Sequence, residues 1–108
     1  MKILIDENLP SQLKHLLGGE HEVYSVRDMQ WSGKENGELL GLMTFEGFDA
    51  FVTMDKNLPK QQNLTKFVIT IFVLYGVNNK FETLQALIPL VLEKIKLGVK
   101  PGVVSIQK

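Results

Sequence analysis

Two aspartates follow short apolar runs in the same local pattern. Ile3-Leu4-Ile5 leads into Asp6-Glu7-Asn8-Leu9-Pro10, and Phe51-Val52-Thr53 leads, one residue on, into Asp55-Lys56-Asn57-Leu58-Pro59. Each segment reads as strand, Asp, Asn, Leu-Pro, helix. Neighbouring strands lie about 4.8 Å apart, so carboxylates just beyond two adjacent strands come close enough to hold one divalent cation between them. Without that cation the two charges repel and one carboxyl is driven to take up a proton. A hard ion such as Mg²⁺ removes the conflict, since it binds one or two protein carboxylates and keeps waters for substrate phosphates. Asp28, beyond a second predicted strand, falls at the same edge, and Glu7 and Glu38 are further acids within reach of it. The plain alternative is that Asp6 and Asp55 only stabilise helix N-termini. Asn8 and Asn57 are expected to serve as N-caps in the same turns, with Pro10 and Pro59 in first helical turns where a missing N–H costs nothing.

The elements that must position these acids follow from hydrophobic periodicity. Strands are expected at Lys2–Ile5, Glu22–Val26, Ala50–Thr53, Phe67–Leu74 and Val103–Ile106. Helices are expected at Pro10–Leu17, around Leu39, Leu40 and Met43 up to Gly47, and over Thr83–Leu97 with a kink at Pro89; Lys60–Asn63 reads as a turn of helix. Strands alternating with helices imply parallel pairing and right-handed crossovers. The expected fold is therefore one α/β domain over residues 1–108, a three-layer sandwich with a mainly parallel sheet of order 2-1-3-4 and the fifth strand at an edge. Ligands of such sheets gather at the strand C-termini where connections diverge. Here that is between strands one and three.

Composition excludes several classes of chemistry. The chain has no cysteine, which removes thiol nucleophiles, zinc–thiolate sites and disulfides together. Ser11, Ser25, Ser32 and Ser105 lie in no Gly-x-Ser-x-Gly elbow, and His15 and His21 have no partner at metal or triad spacing. Twelve basic residues balance twelve acidic ones, so nucleic-acid binding must come from a local patch. Lys56, Lys60 and Lys66 offer one beside the second Asp turn; Trp31 offers an aromatic face for a base, and Asn78-Asn79 amides at the same tip. The first apolar run is too short for a signal peptide and the longest, Phe67–Gly76, is about half a membrane span. A cytoplasmic protein without a membrane partner is expected.

The segments Ile3-Leu4-Ile5-Asp6-Glu7-Asn8-Leu9-Pro10, Val26-Arg27-Asp28, Gly33 and Val52-Thr53-Met54-Asp55-Lys56-Asn57 resemble the compact PIN-like domains of the DUF5615 family, associated with toxins of toxin–antitoxin pairs. The resemblance covers nearly the whole chain in element order and is most specific in the Asp-Glu-Asn and Thr-x-Asp segments. It implies a PIN-like fold, Mg²⁺- or Mn²⁺-dependent endoribonuclease activity, RNA as substrate and an antitoxin-like protein as partner. Asp6 and Asp55 match the metal-holding acids, with Asp28 and Glu7 in support and Asn8, Asn57, Lys56 and Trp31 near substrate. The chain departs from many relatives at Asn36 and Asn57, where they carry Asp, which implies a weak metal site.

Two further readings fit the same residues. A PIN-like module without catalysis, acting through a protein partner or a homodimer, is favoured by the amides at Asn36 and Asn57. A receiver-like phosphoacceptor domain also carries acids after strands one and three. It requires a lysine after the fifth strand and a hydroxyl after the fourth; Lys100-Pro101 precedes the last strand, and no Ser or Thr stands near Leu74-Tyr75-Gly76.

Overall fold

Side-chain alternation decides the layers. Successive residues of a strand point to opposite faces, so a strand that is apolar throughout must be covered on both. The structure, a computed structural model, describes residues 1–61 and 63–108. In it Ile3 and Ile5 of β1 (Lys2–Ile5), Ala50 and Val52 of β3 (Ala50–Thr53), and Phe72 and Leu74 of β4 (Thr70–Leu74) face one core. Leu4, Phe51, Ile71 and Val73 face the other. The first core is closed by Leu13 and Leu17 of α1 (Leu13–Leu17), Leu84 of α4 (Phe81–Gln85) and Ile88 and Val91 of α5 (Ile88–Leu97). The second is closed by Leu39, Leu40 and Met43 of α2 (Asn36–Phe45) and Leu58 of α3 (Leu58–Gln61). The result is a three-layer α/β sandwich.

The sheet has the order β2-β1-β3-β4-β5, with β2 at Glu22–Ser25 and β5 at Gly102–Ile106, and every pairing is parallel. The expected order is therefore observed, and β5 runs parallel to β4 with Thr70 opposite Gly102. From β1 the chain crosses over the α1 face to β2, whereas from β3 it crosses over the α3 face to β4. Connections thus diverge between β1 and β3, which opens a crevice at their C-terminal ends.

Four elements differ from the expectation. α1 begins at Leu13, three residues later than expected, with Gln12 at its N-cap, so Pro10 lies before the helix and not in its first turn. Pro89 does not kink one long helix; α4 ends at Gln85 and Pro89 stands in the first turn of a new helix, α5, where its missing N–H leaves no bond unmade. β4 begins at Thr70, three residues later than expected, because Leu64–Lys66 form a 3₁₀ turn whose cap, Asn63 Oδ1, accepts from Thr65 N–H. The helical turn expected at Lys60–Asn63 includes Gln62, which lies outside the described residues; α3 starts earlier, with Pro59 in its first turn. No helix among the described residues is long and apolar enough to cross a membrane.

Candidate acidic cleft between strands one and three

β1 and β3 end in register, Ile5 opposite Val52, so the residues that follow them share one edge of the sheet. Asp6 still belongs to the ladder through its N–H, which donates to Val52 C=O at 3.0 Å. A single hydroxyl then joins the two aspartate turns. Thr53, fully buried at the end of β3, donates from Oγ1 to Asp6 Oδ2 at 2.6 Å and accepts from Asp55 N–H at 3.0 Å. Asp6 Oδ1 accepts from Glu7 N–H at 2.8 Å, and Asp55 Oδ1 from Asn57 N–H at 2.9 Å. Asp55 Oδ2 accepts from Asn36 Nδ2 at 3.2 Å, across from the start of α2. The two carboxylates are held in fixed orientations by Thr53 of β3, Asn36 of α2 and one N–H from each aspartate turn.

Both aspartates line one open cleft of about 470 Å³ together with Glu7, Asn8, Lys34, Asn36 and Asn79. Burial pushes the Asp6 carboxyl above its usual range; the bonds from Thr53 and from Glu7 N–H pull it back, and the charges of Glu7 and Asp55 push it up again. This is the electrostatic signature of a half-buried carboxylate in want of a counter-charge. Lys34, on the rim, is the one cation among the described residues lining the cleft, and its ammonium is 3.7 Å from Glu38 one helical turn on.

The other expected site residues are distributed unevenly. Glu7 lines the cleft and accepts from Gly33 N–H at 3.4 Å. Asp28 does not line it. Its Oδ2 accepts from Lys14 Nζ at 2.7 Å and from Ser25 N–H at 2.8 Å, on the far side of the Asp6 turn. The Lys14 ammonium first, then the Ser25 N–H, hold the Asp28 carboxyl below the usual carboxylate range. Trp31 packs edge-on against Phe48, centroids 5.8 Å apart, under its own loop and not in the cleft. Lys56 is exposed, its ammonium 4.7 Å from the centroid of the Tyr75 ring. Glu38 stays on the outer face of α2 with Lys34.

One expectation about the amides is corrected. Among the described residues neither Asn8 nor Asn57 accepts from a helix N–H through its side chain; the aspartates make the turns themselves, Asp55 through an i to i+2 bond to the Asn57 N–H. Asn36 opens α2 behind the cap position, which Glu35 occupies, and its side chain reaches Asp55. Sequence reasoning missed Thr53 and Lys34 as parts of the site, whereas Asn79, expected at this tip, does line it. Asn79 Nδ2 donates to Asn8 C=O at 3.0 Å and so ties the loop after β4 to the Asp6 turn. A threonine ending an otherwise apolar, fully buried strand was the available signal for Thr53.

The donor set is made of hard oxygens: the Asp6 and Asp55 carboxylates, with Asn amide oxygens beside them. Two carboxylates suit a Mg²⁺-type ion that retains most of its waters. Among the described residues no group of three or more His, Cys or acidic side chains is placed to enclose a metal, so any such ion is held loosely. Comparison of the chain with protein-family models, with curated proteins and with solved structures gives no match.

Proposed function

We propose that this chain is a PIN-like, Mg²⁺- or Mn²⁺-dependent endoribonuclease of toxin type, cytoplasmic and restrained by an antitoxin-like protein. The observation that supports it is the Thr53 bridge, which fixes Asp6 and Asp55 side by side at the divergence of the sheet connections. A divalent cation there would supply Lewis-acid polarisation of a phosphodiester and a water of lowered pKa. Asp6 and Asp55 would hold it, Thr53 and Asn36 keep their carboxylates aimed, and the cation's charge would offset the burial that raises the affinity of Asp6 for a proton. Lys34 lines the same cleft, where an ammonium offsets the charge of a phosphate.

The test is cleavage of single-stranded RNA by purified protein in Mn²⁺ or Mg²⁺, compared with EDTA and with Asp6→Asn and Asp55→Asn. Loss of about 100-fold or more in each variant is expected. Equal rates in wild type and both variants sink the reading.

A second reading, a PIN-like binding module without catalysis, draws support from a different fact: all four carboxylate oxygens of the pair already accept a protein hydrogen bond. Absence of any Mn²⁺-dependent rise in melting temperature, with a stable protein complex, favours it. The receiver-like reading fares worse. Lys100 lies at the opposite end of β5 from the acidic tip, and Lys108, which does follow β5, lines a separate hollow with Tyr75.

A further inference from the structure

We infer that Tyr75 is a stacking platform for one base of a single-stranded RNA, placed beside the acidic cleft; the inference rests on the ribonuclease reading for its substrate class. Thr53 and Val73 are the last paired residues of the β3–β4 ladder, and Asp55 and Tyr75 each follow two residues later at the same edge of the sheet. Tyr75 N–H still donates to Ile106 C=O at 2.9 Å, which holds its backbone in the sheet while its ring leaves it. Tyr75 is 37% exposed, and Val77 beyond it is 93% exposed. Together with Gly76, Thr83 and Lys108 they line a shallow hollow of about 280 Å³.

The platform is rigid and charged as a nucleotide requires. Asn79 ties its loop to the Asp6 turn, and Lys80 N–H donates to Asn78 Oδ1 at 3.0 Å. A Cβ on Gly76 would meet Thr83, Asn78 and Leu84 within 3.3 Å, so the turn carrying Tyr75 is closely packed. The Lys56 ammonium rests 4.7 Å from the ring centroid, and Lys108 lines the same hollow. An exposed cation–π contact is weaker than base–aromatic stacking. An arriving nucleotide therefore replaces it, the base taking the ring and the phosphate taking the ammonium. A base inside a duplex has both faces covered, so the platform selects single strands.

The test is fluorescence anisotropy with an end-labelled ten-nucleotide single-stranded RNA in EDTA, and with the same sequence as a duplex. Tyr75→Ala is expected to weaken single-strand binding roughly 5- to 150-fold, the range that stacking on one aromatic gives. Tyr75→Phe should stay within about twofold of wild type, and Lys56→Met should reduce the slope of log K against log salt by about 0.7, one phosphate contact. Single-strand binding unchanged by Tyr75→Ala, equal binding of duplex and single strand, or no RNA binding by wild type each overturns the platform; the last leaves the Tyr75–Val77 tip as a protein-docking surface. Cleavage in Mn²⁺ separates the two ideas. Tyr75-dependent binding with no cleavage sinks the nuclease reading alone, whereas Asp6-dependent cleavage with Tyr75-independent binding sinks the platform alone.

Discussion

Thr53→Val removes one oxygen and should loosen both aspartate turns. Thr53 is fully buried and makes two bonds, a 2.6 Å donation to the Asp6 carboxylate and a 3.0 Å acceptance from Asp55 N–H. A hydrogen bond to a charged group contributes about 1.5–3 kcal/mol, and an orphaned buried N–H costs about 1–3 kcal/mol. Asp55 is half-buried and water reaches part of that deficit, so the second figure falls at its lower end. The methyl that replaces the hydroxyl is better suited to the core and returns about 1 kcal/mol. A net loss of about 2–3 kcal/mol follows, a large share of the ~5–15 kcal/mol expected of a domain. Urea unfolding at neutral pH reads it as a midpoint lowered by roughly 1–2 M for a slope near ~1.5 kcal/mol/M. Thr53→Ser keeps both bonds and loses one buried methyl, about 0.8 kcal/mol. The Thr53 bond favours ionised Asp6, so the valine deficit should shrink in acid, where Asp6 is protonated. A valine variant within 0.5 kcal/mol of wild type, as an order-of-magnitude bound, or a serine variant as damaged as valine, refutes the bridge.

Asp6→Asn should flatten the pH dependence of stability of the metal-free protein: the folded-state pKa of Asp6 is raised by burial, so its contribution is favourable below the unfolded pKa and is lost as pH rises through the folded one. Thermal melts at several pH values check this, and the variant should also lose any Mn²⁺-induced rise in melting temperature. Asp28 works in the opposite sense. Its pKa is depressed by Lys14 and Ser25, so Lys14→Met should cost up to about 1 kcal/mol at neutral pH, kept small by the pair's partial exposure, and the difference should vanish as pH falls through the depressed pKa. Asp55→Asn preserves an acceptor for the Asn57 N–H, whereas Asp55→Ala does not; stability should hold within about 0.5 kcal/mol in the first and fall by about 1 kcal/mol in the second, by urea unfolding. Gly76→Ala should lose about 1–2 kcal/mol because its Cβ meets Thr83, Asn78 and Leu84 at 3.1–3.3 Å.

What could be read from the residues was whatever a short period determines. Ile3, Leu4 and Ile5 must alternate between two faces, so one apolar strand already demands two covering layers, and the position of Asp6 just beyond it follows. Asp55 follows in the same way from Phe51 and Val52, and the divergence of connections brings the two together. What failed was assignment between residues able to do the same local job. Asp and Asn both bond a backbone N–H two residues on, so the pattern Asp-x-Asn does not say which one makes the turn. Contacts made across the sequence were equally hidden: Asn36 lies 19 residues from Asp55, and nothing local distinguishes an amide that caps its own helix from one that crosses to another strand.

The same limit explains the aromatic residues. Trp31 was the conspicuous choice for a base because its loop leads toward the acidic edge, yet Phe48, seventeen positions away, gives it an apolar partner and draws it under that loop. Tyr75 falls one residue past the expected strand Phe67–Leu74, inside the apolar run that ends at Gly76. Its exposure arises because β4 ends at Leu74 while the ladder to β5 continues through one more bond, so the backbone stays paired as the side chain passes the last covering residue. An aromatic one residue past a central strand therefore stays exposed at the sheet edge, whereas one in a longer loop can fold back on the core. Asp55, Lys56 and Tyr75 share that edge because β3 and β4 end within a residue of each other, and the Lys56 ammonium lies over the Tyr75 ring.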